Sequence, residues 1–354
     1  MQANSNPILK DLVLVGGGHT HVAVLKRFGM KPMPGVRLTV IARDVHTPYS
    51  GMLPGYIAGL YSYDESHIDL RPLCQFSGAR LFHGEANGLD LKNKLVHCSN
   101  RPSIPYDILS LNIGSSPQIY DVKGAVDFAT PVKPINQFVE RWRNLENRII
   151  NERRPHRIAV VGAGAAGTEM VLAIQYRLRN LLDAKGRQDE PLELHLISKA
   201  SRVISSHHPD VSARFERILN DRGINVYLNT AATQVNESKL FLSDGKSLNC
   251  DEILWVTGAS APSWLQDSGL QVSKGGFVNV HETLQSTMCP SIFAAGDIAN
   301  VLKYPRPKAG VFAVRHGKPL SENLRRVLLG KKPRAFKPQR NMLGLISTGD
   351  KYAV

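Results

Sequence analysis

Residues 158–167 read Ile158-Ala159-Val160-Val161-Gly162-Ala163-Gly164-Ala165-Ala166-Gly167. A short apolar run rich in β-branched residues has the length and composition of a strand buried on both faces. Gly-x-Gly-x-x-Gly follows at once and leads into a helical stretch. In that context the glycines allow a tight turn, close approach of backbone to a pyrophosphate, and close packing of helix on strand. The free N–H groups of the helix N-terminus then meet the negative charge. An echo lies near the start, where Leu12-Val13-Leu14-Val15 runs into Gly16-Gly17-Gly18. Gly16 and Gly18 fit the pattern, but His21 stands where the third glycine belongs. His19 and His21 have no third metal ligand in view, so they read as packing or hydrogen-bonding groups near the phosphates.

The second module interrupts the first. The pattern breaks around Thr130-Pro131-Val132-Lys133-Pro134, and an amphipathic stretch from Ile135 to Ile150 leads to the second strand. Another break, Thr283 to Pro290, precedes the apolar run Ile292-Phe293-Ala294-Ala295, which ends in Gly296-Asp297. These breaks predict an α/β fold of two Rossmann-like dinucleotide-binding domains, the second inserted in the first. The first covers residues 1–130 and 281–354, the second 131–280. Asp/Gly/Asn turns between Ala86 and Val96, and between Gln234 and Leu248, predict small antiparallel additions.

At 354 residues the chain exceeds one ordinary core. No apolar run approaches the ~20 residues of a membrane span, and the leading segment runs into a glycine loop rather than a cleavage site. A cytoplasmic protein is expected. The net charge is +14, from 44 Lys+Arg against 30 Asp+Glu. The densest cationic stretch holds Arg325, Arg326, Lys331, Lys332 and Arg334. It lacks interleaved aromatics and matches no nucleic-acid motif. It reads as a solvated basic face, the other reading being peripheral contact with anionic lipid or an acidic partner. Cys74, Cys98, Cys250 and Cys289 are scattered, with no C-x-x-C, which disfavours a zinc site or a dithiol.

With both loops in view, the chain resembles the pyridine nucleotide–disulfide oxidoreductase superfamily. Thr287-Met288-Cys289-Pro290-Ser291-Ile292-Phe293-Ala294-Ala295-Gly296-Asp297 resembles its second FAD fingerprint. Ile253-Leu254-Trp255-Val256-Thr257-Gly258-Ala259 resembles its strand-to-glycine crossover, with an earlier counterpart in Ile108 to Gly114. The resemblance implies FAD held by Gly16, Gly18 and Asp297, and NADPH or NADH held by Gly162, Gly164 and Gly167. Within the superfamily the chain is similar to the type II NADH dehydrogenase-like branch. Thr47-Pro48-Tyr49-Ser50-Gly51-Met52-Leu53-Pro54-Gly55 occupies the place of that branch's aromatic-Pro-Leu-Pro loop, and Lys308 to Gly317 that of its last helix start. His19, Arg43, Pro48, Ala86, Gly114, Gly258, Lys308 and Ala309 complete the implied cofactor contacts. Glu169, just past the second loop, is the implied catalytic residue at the nicotinamide–flavin junction. A glutamate in the first turns also suits the helix dipole without any catalysis.

The stretch from Pro307 through Ile346-Ser347-Thr348-Gly349-Asp350-Lys351-Tyr352-Ala353-Val354 resembles the flavoprotein module fused ahead of selenide, water dikinase in some proteins. It stops without an obvious terminus, as a domain of a longer polypeptide would. No C-x-x-x-x-C pair follows the first domain's second strand, so a dithiol relay is not expected. Direct transfer from nicotinamide to flavin remains, with electrons leaving to a quinone or an oxidised selenium species. The alternative is a non-catalytic FAD and nucleotide-sensing module that regulates an attached domain. After the strand Leu192 to Ile197, an acid would bind the ribose 2′-hydroxyl of NADH, whereas Lys199 and Arg202 suit the 2′-phosphate of NADPH. The first module's second strand likewise ends in Arg43, with Asp44 one residue later, and either could meet the FAD adenosine.

Overall fold

A computed structural model describes residues 7–340 and 343–354; residues 1–6 of the leading segment and 341–342 of the C-terminal stretch lie outside the described residues. The first apolar run forms β1 (Lys10–Val15), and Leu12 to Val15 are each no more than 2% exposed. There follow α1 (His19–Met30), β2 (Val36–Ala42), α2 (Leu70–Ser77), β3 (Arg80–His83) and β4 (Ile108–Leu111). The inserted module supplies β5 (Thr130–Pro131), α3 (Ile135–Asn151), β6 (His156–Val161) and α4 (Ala165–Ala184). It continues with β7 (Leu192–Ile197), α5 (Pro209–Asp221), β8 (Ile224–Tyr227) and β9 (Glu252–Trp255). The chain then returns in β10 (Ile292–Ala294) and α6 (Gly310–Leu328).

One five-stranded sheet has the order β10-β4-β1-β2-β3 and the other β5-β9-β6-β7-β8, with every pairing parallel. Both share the core order fourth, first, second, third. In each, the strand that precedes the glycine loop has neighbours reached in opposite directions, which opens a crevice at its C-terminal end. The amphipathic stretch becomes α3, burying Ile135, Phe138, Val139, Trp142, Leu145 and Ile149 at helical spacing. The expected antiparallel additions are three-stranded: Ala86–Asp90 with Leu95–Cys98 and Arg101–Pro105, and Ala232–Val235 with Lys239–Leu242 and Ser247–Asn249.

Residues 7–49, 67–115 and 260–340 form one compact unit, and 50–66, 116–259 and 343–354 the other. These limits differ from the sequence breaks in four places, one being residues 116–130, which lie in the second unit. Segment 50–66 joins the second unit because Leu53, Ile57 and Ala58 enter an apolar core with Met170, Ile174 and Trp142. Segment 343–354 joins it through Ile346, 4% exposed in that core. Segment 260–280 belongs to the first unit, where Val278–Val280 pairs with Ala299–Val301. Among the described residues no helix is long and apolar enough to cross a membrane.

Candidate functional site

The first glycine loop leaves β1 between β2 and β4. Gly16 turns at φ +91°, and a Cβ there would stand 2.4 Å from the carbonyl oxygen of Asn112. Gly18 caps α1 in an extended conformation, without a side-chain cap, so the positive helix end is open to an anion. Asn112, 3% exposed, fastens the surroundings. Its Nδ2 donates to Ala295 O at 2.7 Å and its Oδ1 accepts from His21 N at 3.4 Å. Cβ atoms on Gly18 and Gly296 would each stand 2.4 Å from its amide. One side chain thus draws three loops to within backbone distance. Sequence reading passed over Asn112; its signal was a polar residue closing an apolar strand.

His21 takes the third glycine's place by filling the gap between helix and strand. Its Nδ1 lies 2.7 Å from Gly16 O and its Nε2 2.8 Å from Ser110 Oγ. A carbonyl can only accept, so Nδ1 carries the proton and Ser110 donates to Nε2. Burial pushes the His21 pKa down to about 4 against the opposing pull of the Gly16 bond, which leaves the ring neutral. His19 opens α1 with its ring 4.7 Å from that of Tyr49, and burial lowers its pKa also. Among the described residues no group of three His, Cys, Asp or Glu is placed to hold a metal.

Around this loop, Arg43 at the end of β2 pairs with Asp44 at 3.1 Å and Glu85 at 3.4 Å. Cation and acid therefore share the position, next to Ala86 at the start of its strand. Pro48 lies in a short ribbon, His46–Pro48 paired with His67–Asp69. Its neighbour Thr47, also passed over in the sequence, donates Oγ1 to Gly17 O at 2.8 Å. Gly114 has φ +75° and open space where a Cβ would be. Beside it, Ser115 Oγ donates to Asp297 at 3.3 Å.

Gly296, Asp297, Lys308, Ala309 and His316 line one polar cavity at the start of α6. Lys308 Nζ donates to Ala299 O at 2.6 Å and stands 4.0 Å from the centre of the Phe277 ring. Burial lowers its pKa to about 8, with Asp297 opposing. His316 Nδ1 accepts from Gly296 N–H at 3.1 Å. Burial, then the Lys308 charge, hold that imidazole near a pKa of about 4.

In the second unit Gly162 turns at φ +117° after β6, and Gly164 caps α4 without a side-chain cap. A Cβ on Gly167 would stand 1.7 Å from Gly162 O, whereas one on Gly164 would meet nothing within 4 Å. The third glycine is thus required by packing, while the second faces free space. Gly258, at φ +46° after β9, sits against Gln118, whose carbonyl accepts from Trp255 Nε1 at 2.7 Å. Arg202 donates to Ser205 O at 3.0 Å and His207 O at 3.2 Å, folding its own loop, while Lys199 is exposed. Glu169 Oε1 accepts from Ser347 N–H at 2.7 Å. Burial raises the Glu169 pKa to about 7, against the lowering effect of that bond.

All four cysteines are free. Burial raises each thiol, Cys74 to about 11 and Cys250 to about 12, so they are poor thiolates at neutral pH.

The family model described as pyridine nucleotide-disulphide oxidoreductase matches residues 10–317. A type II NADH:quinone oxidoreductase of Haemophilus influenzae is 28% identical over 365 residues, covering 88% of this chain and 82% of the relative. The NADH dehydrogenase-like protein YutJ of Bacillus subtilis is 23% identical over 300 residues, covering 84% of this chain and 79% of that one. Among solved structures, the sulfide:quinone oxidoreductase of Aquifex aeolicus aligns with a TM-score of 0.77 at 17% identity, over 97% of this chain and 82% of that one. At that identity the likeness speaks for the fold.

Proposed function

This chain belongs to the pyridine nucleotide-disulphide oxidoreductase family, and from that premise we propose that its first unit holds FAD, its second holds NADH or NADPH, and a quinone takes the electrons. The observation that carries the reading is one anion-binding geometry built twice. Each copy is a glycine turn at its sheet's crevice leading to a helix whose N-terminus no side chain caps.

The residues present fit these cofactors. Gly16, Gly18 and the start of α1 would take the FAD pyrophosphate, and Asp297 the hydroxyls of the ribityl chain. Arg43 and Ala86 would lie toward the adenosine. His19, Pro48 and Gly114 would complete the wall, with room at Gly114 where a Cβ is missing. Lys308, Ala309 and the N-terminus of α6 bring positive potential to the same pocket. In the second unit, Gly162, Gly164 and Gly167 with α4 would take the nicotinamide nucleotide's pyrophosphate, and Gly258 would keep the neighbouring turn open. Lys199 is the exposed cation left to meet a 2′-phosphate, because Arg202 is engaged by carbonyls of its own loop. FAD held there would supply the two-electron chemistry that links a reduced nicotinamide to the acceptor. Glu169 is the proton carrier, since a carboxyl titrating at about 7 can take up and release a proton at neutral pH. The choice of quinone follows the relatives named for it, and the raised thiols speak against a dithiol relay.

The test is anaerobic mixing of the flavin-loaded chain with NADH or NADPH, followed by a soluble quinone or an oxidised selenium species. Bleaching of the flavin by a nucleotide and its return with quinone is the expected result, and the faster nucleotide identifies the donor. A flavin that stays oxidised with both nucleotides would overturn the reading. Return with the selenium species alone would overturn the quinone.

A further inference from the structure

Residues 346–354 double back as a hairpin. Ile346 and Val354 exchange both backbone hydrogen bonds, at 3.0 and 2.9 Å, and Thr348 N donates to Tyr352 O at 3.0 Å. The hairpin is pressed onto α4: a Cβ on Gly349, at φ +85°, would stand 2.4 Å from the Leu172 carbonyl. Arg222, just past α5, clasps it by donating Nη1 to Thr348 O at 2.6 Å and Nη2 to Asp350 at 2.5 Å. Ile346 anchors it in the apolar core. Between these ladder bonds, the N–H of Ser347 points out of the hairpin and donates to Glu169 Oε1 at 2.7 Å.

We propose that the C-terminal hairpin is a working part of the Glu169 site, with Ser347 N–H as the donor that holds the Glu169 carboxylate. Ser347 is then a positioning residue for the proton carrier, an inference that rests on the role given to Glu169 above. Two influences act on that carboxyl: burial favours the protonated form, and the Ser347 bond favours the ionised one. Among the described residues no charged side chain, on α4 or on any element packed against it, contributes to its shift. The nearby Arg222 and Asp350 are paired with each other. The backbone donor therefore has no electrostatic substitute, and its removal leaves burial unopposed.

The experiment uses the flavin-loaded full chain and two changes that delete this N–H: Ser347→Pro, and an amide-to-ester replacement at residue 347 that keeps the serine side chain. The Glu169 carboxyl is titrated by its infrared C=O band, with Glu169→Gln giving the baseline. Turnover is followed over the same pH range. Loss of one donor to a carboxylate should move the titration upward by about one pH unit, and the turnover profile should move with it. An unmoved carboxyl titration in the ester protein would overturn the proposal, as would a loss of turnover equal at every pH with an unmoved midpoint. A titration that moves while the turnover profile stays put upholds the hairpin's hold on Glu169 and overturns its role as proton carrier. The two failures are therefore distinguishable.

Discussion

Asn112 shows what one buried amide can organise. It spends a donor on Ala295 O and an acceptor on His21 N, whose N–H also reaches Gly18 O at 2.8 Å, so Asn112→Leu would remove both side-chain bonds while His21 N–H keeps its Gly18 partner. A lost hydrogen bond costs about 0.5–1.5 kcal/mol, and a loss of about 2 kcal/mol in total is expected. Because Gly16, Gly18 and Gly296 all pack against Asn112, the same variant should also release flavin. Urea unfolding and the flavin-to-protein ratio check the two effects; a change in stability with full flavin retention would separate Asn112 from the cofactor. His21 and His316 make the related point for ionisable groups. Each is buried as a neutral ring whose tautomer is set by a backbone partner: Gly16 O accepts from one, and Gly296 N–H donates to the other.

At the scale of elements, the two glycine-loop helices reach their strands by different means. In α4 the contact is backbone on backbone, since even a methyl group on Gly167 would meet Gly162 O at 1.7 Å. In α1 the corresponding place holds the His21 ring, which bridges Gly16 and Ser110 instead. Gly167→Ala should therefore push α4 away from β6 and spoil the nicotinamide pocket. Overpacking of this kind costs about 1–3 kcal/mol, so the nucleotide Kd should rise about tenfold or more, with flavin content unchanged. Isothermal titration with NADH and NADPH, beside a flavin spectrum, measures both. An unaltered Kd would remove the glycine loop of the second unit from nucleotide binding. A similar close crossing joins α1 and α6, where a Cβ on Gly317 would stand 2.4 Å from that of Ala23.

For the molecule as a whole, the buried ionisable groups shape its response to pH. His21 and His316 have folded pKa values lowered to about 4 from 6.5, and His19, His156 and His195 shift in the same direction. Below pH 6.5 the unfolded chain binds protons that the folded chain refuses. Stability is therefore lost as pH falls from 6.5 toward 4, by up to about 1.4 kcal/mol per pH unit for each fully shifted histidine. Glu169 has the opposite sign: its pKa is raised from 4.5 to about 7, so its contribution is complete below pH 4.5 and is lost as pH rises through 7. The urea midpoint should fall between pH 6.5 and 5, and His316→Gln should make that fall shallower. An equal slope in the variant would show that His316 is not held neutral. Much of this architecture was legible in the linear chain. The buried strands, both glycine loops and the amphipathic stretch that becomes α3 are short-range patterns, and apolar spacing and glycine placement encode them within a few neighbouring residues. The roles of Asn112, Thr47 and Ser347 were not legible, nor was the passage of segments 50–66 and 343–354 into the second unit. Asn112 meets Ala295 across 183 positions and Ser347 meets Glu169 across 178. The same limit applies to Arg202, whose guanidinium turns to the carbonyls of its own loop. The chain by itself determined which elements form and that two glycine loops exist. Only the tertiary structure decided which polar groups are buried and which backbone satisfies them, because a hydrogen-bond partner is chosen by proximity in the folded state.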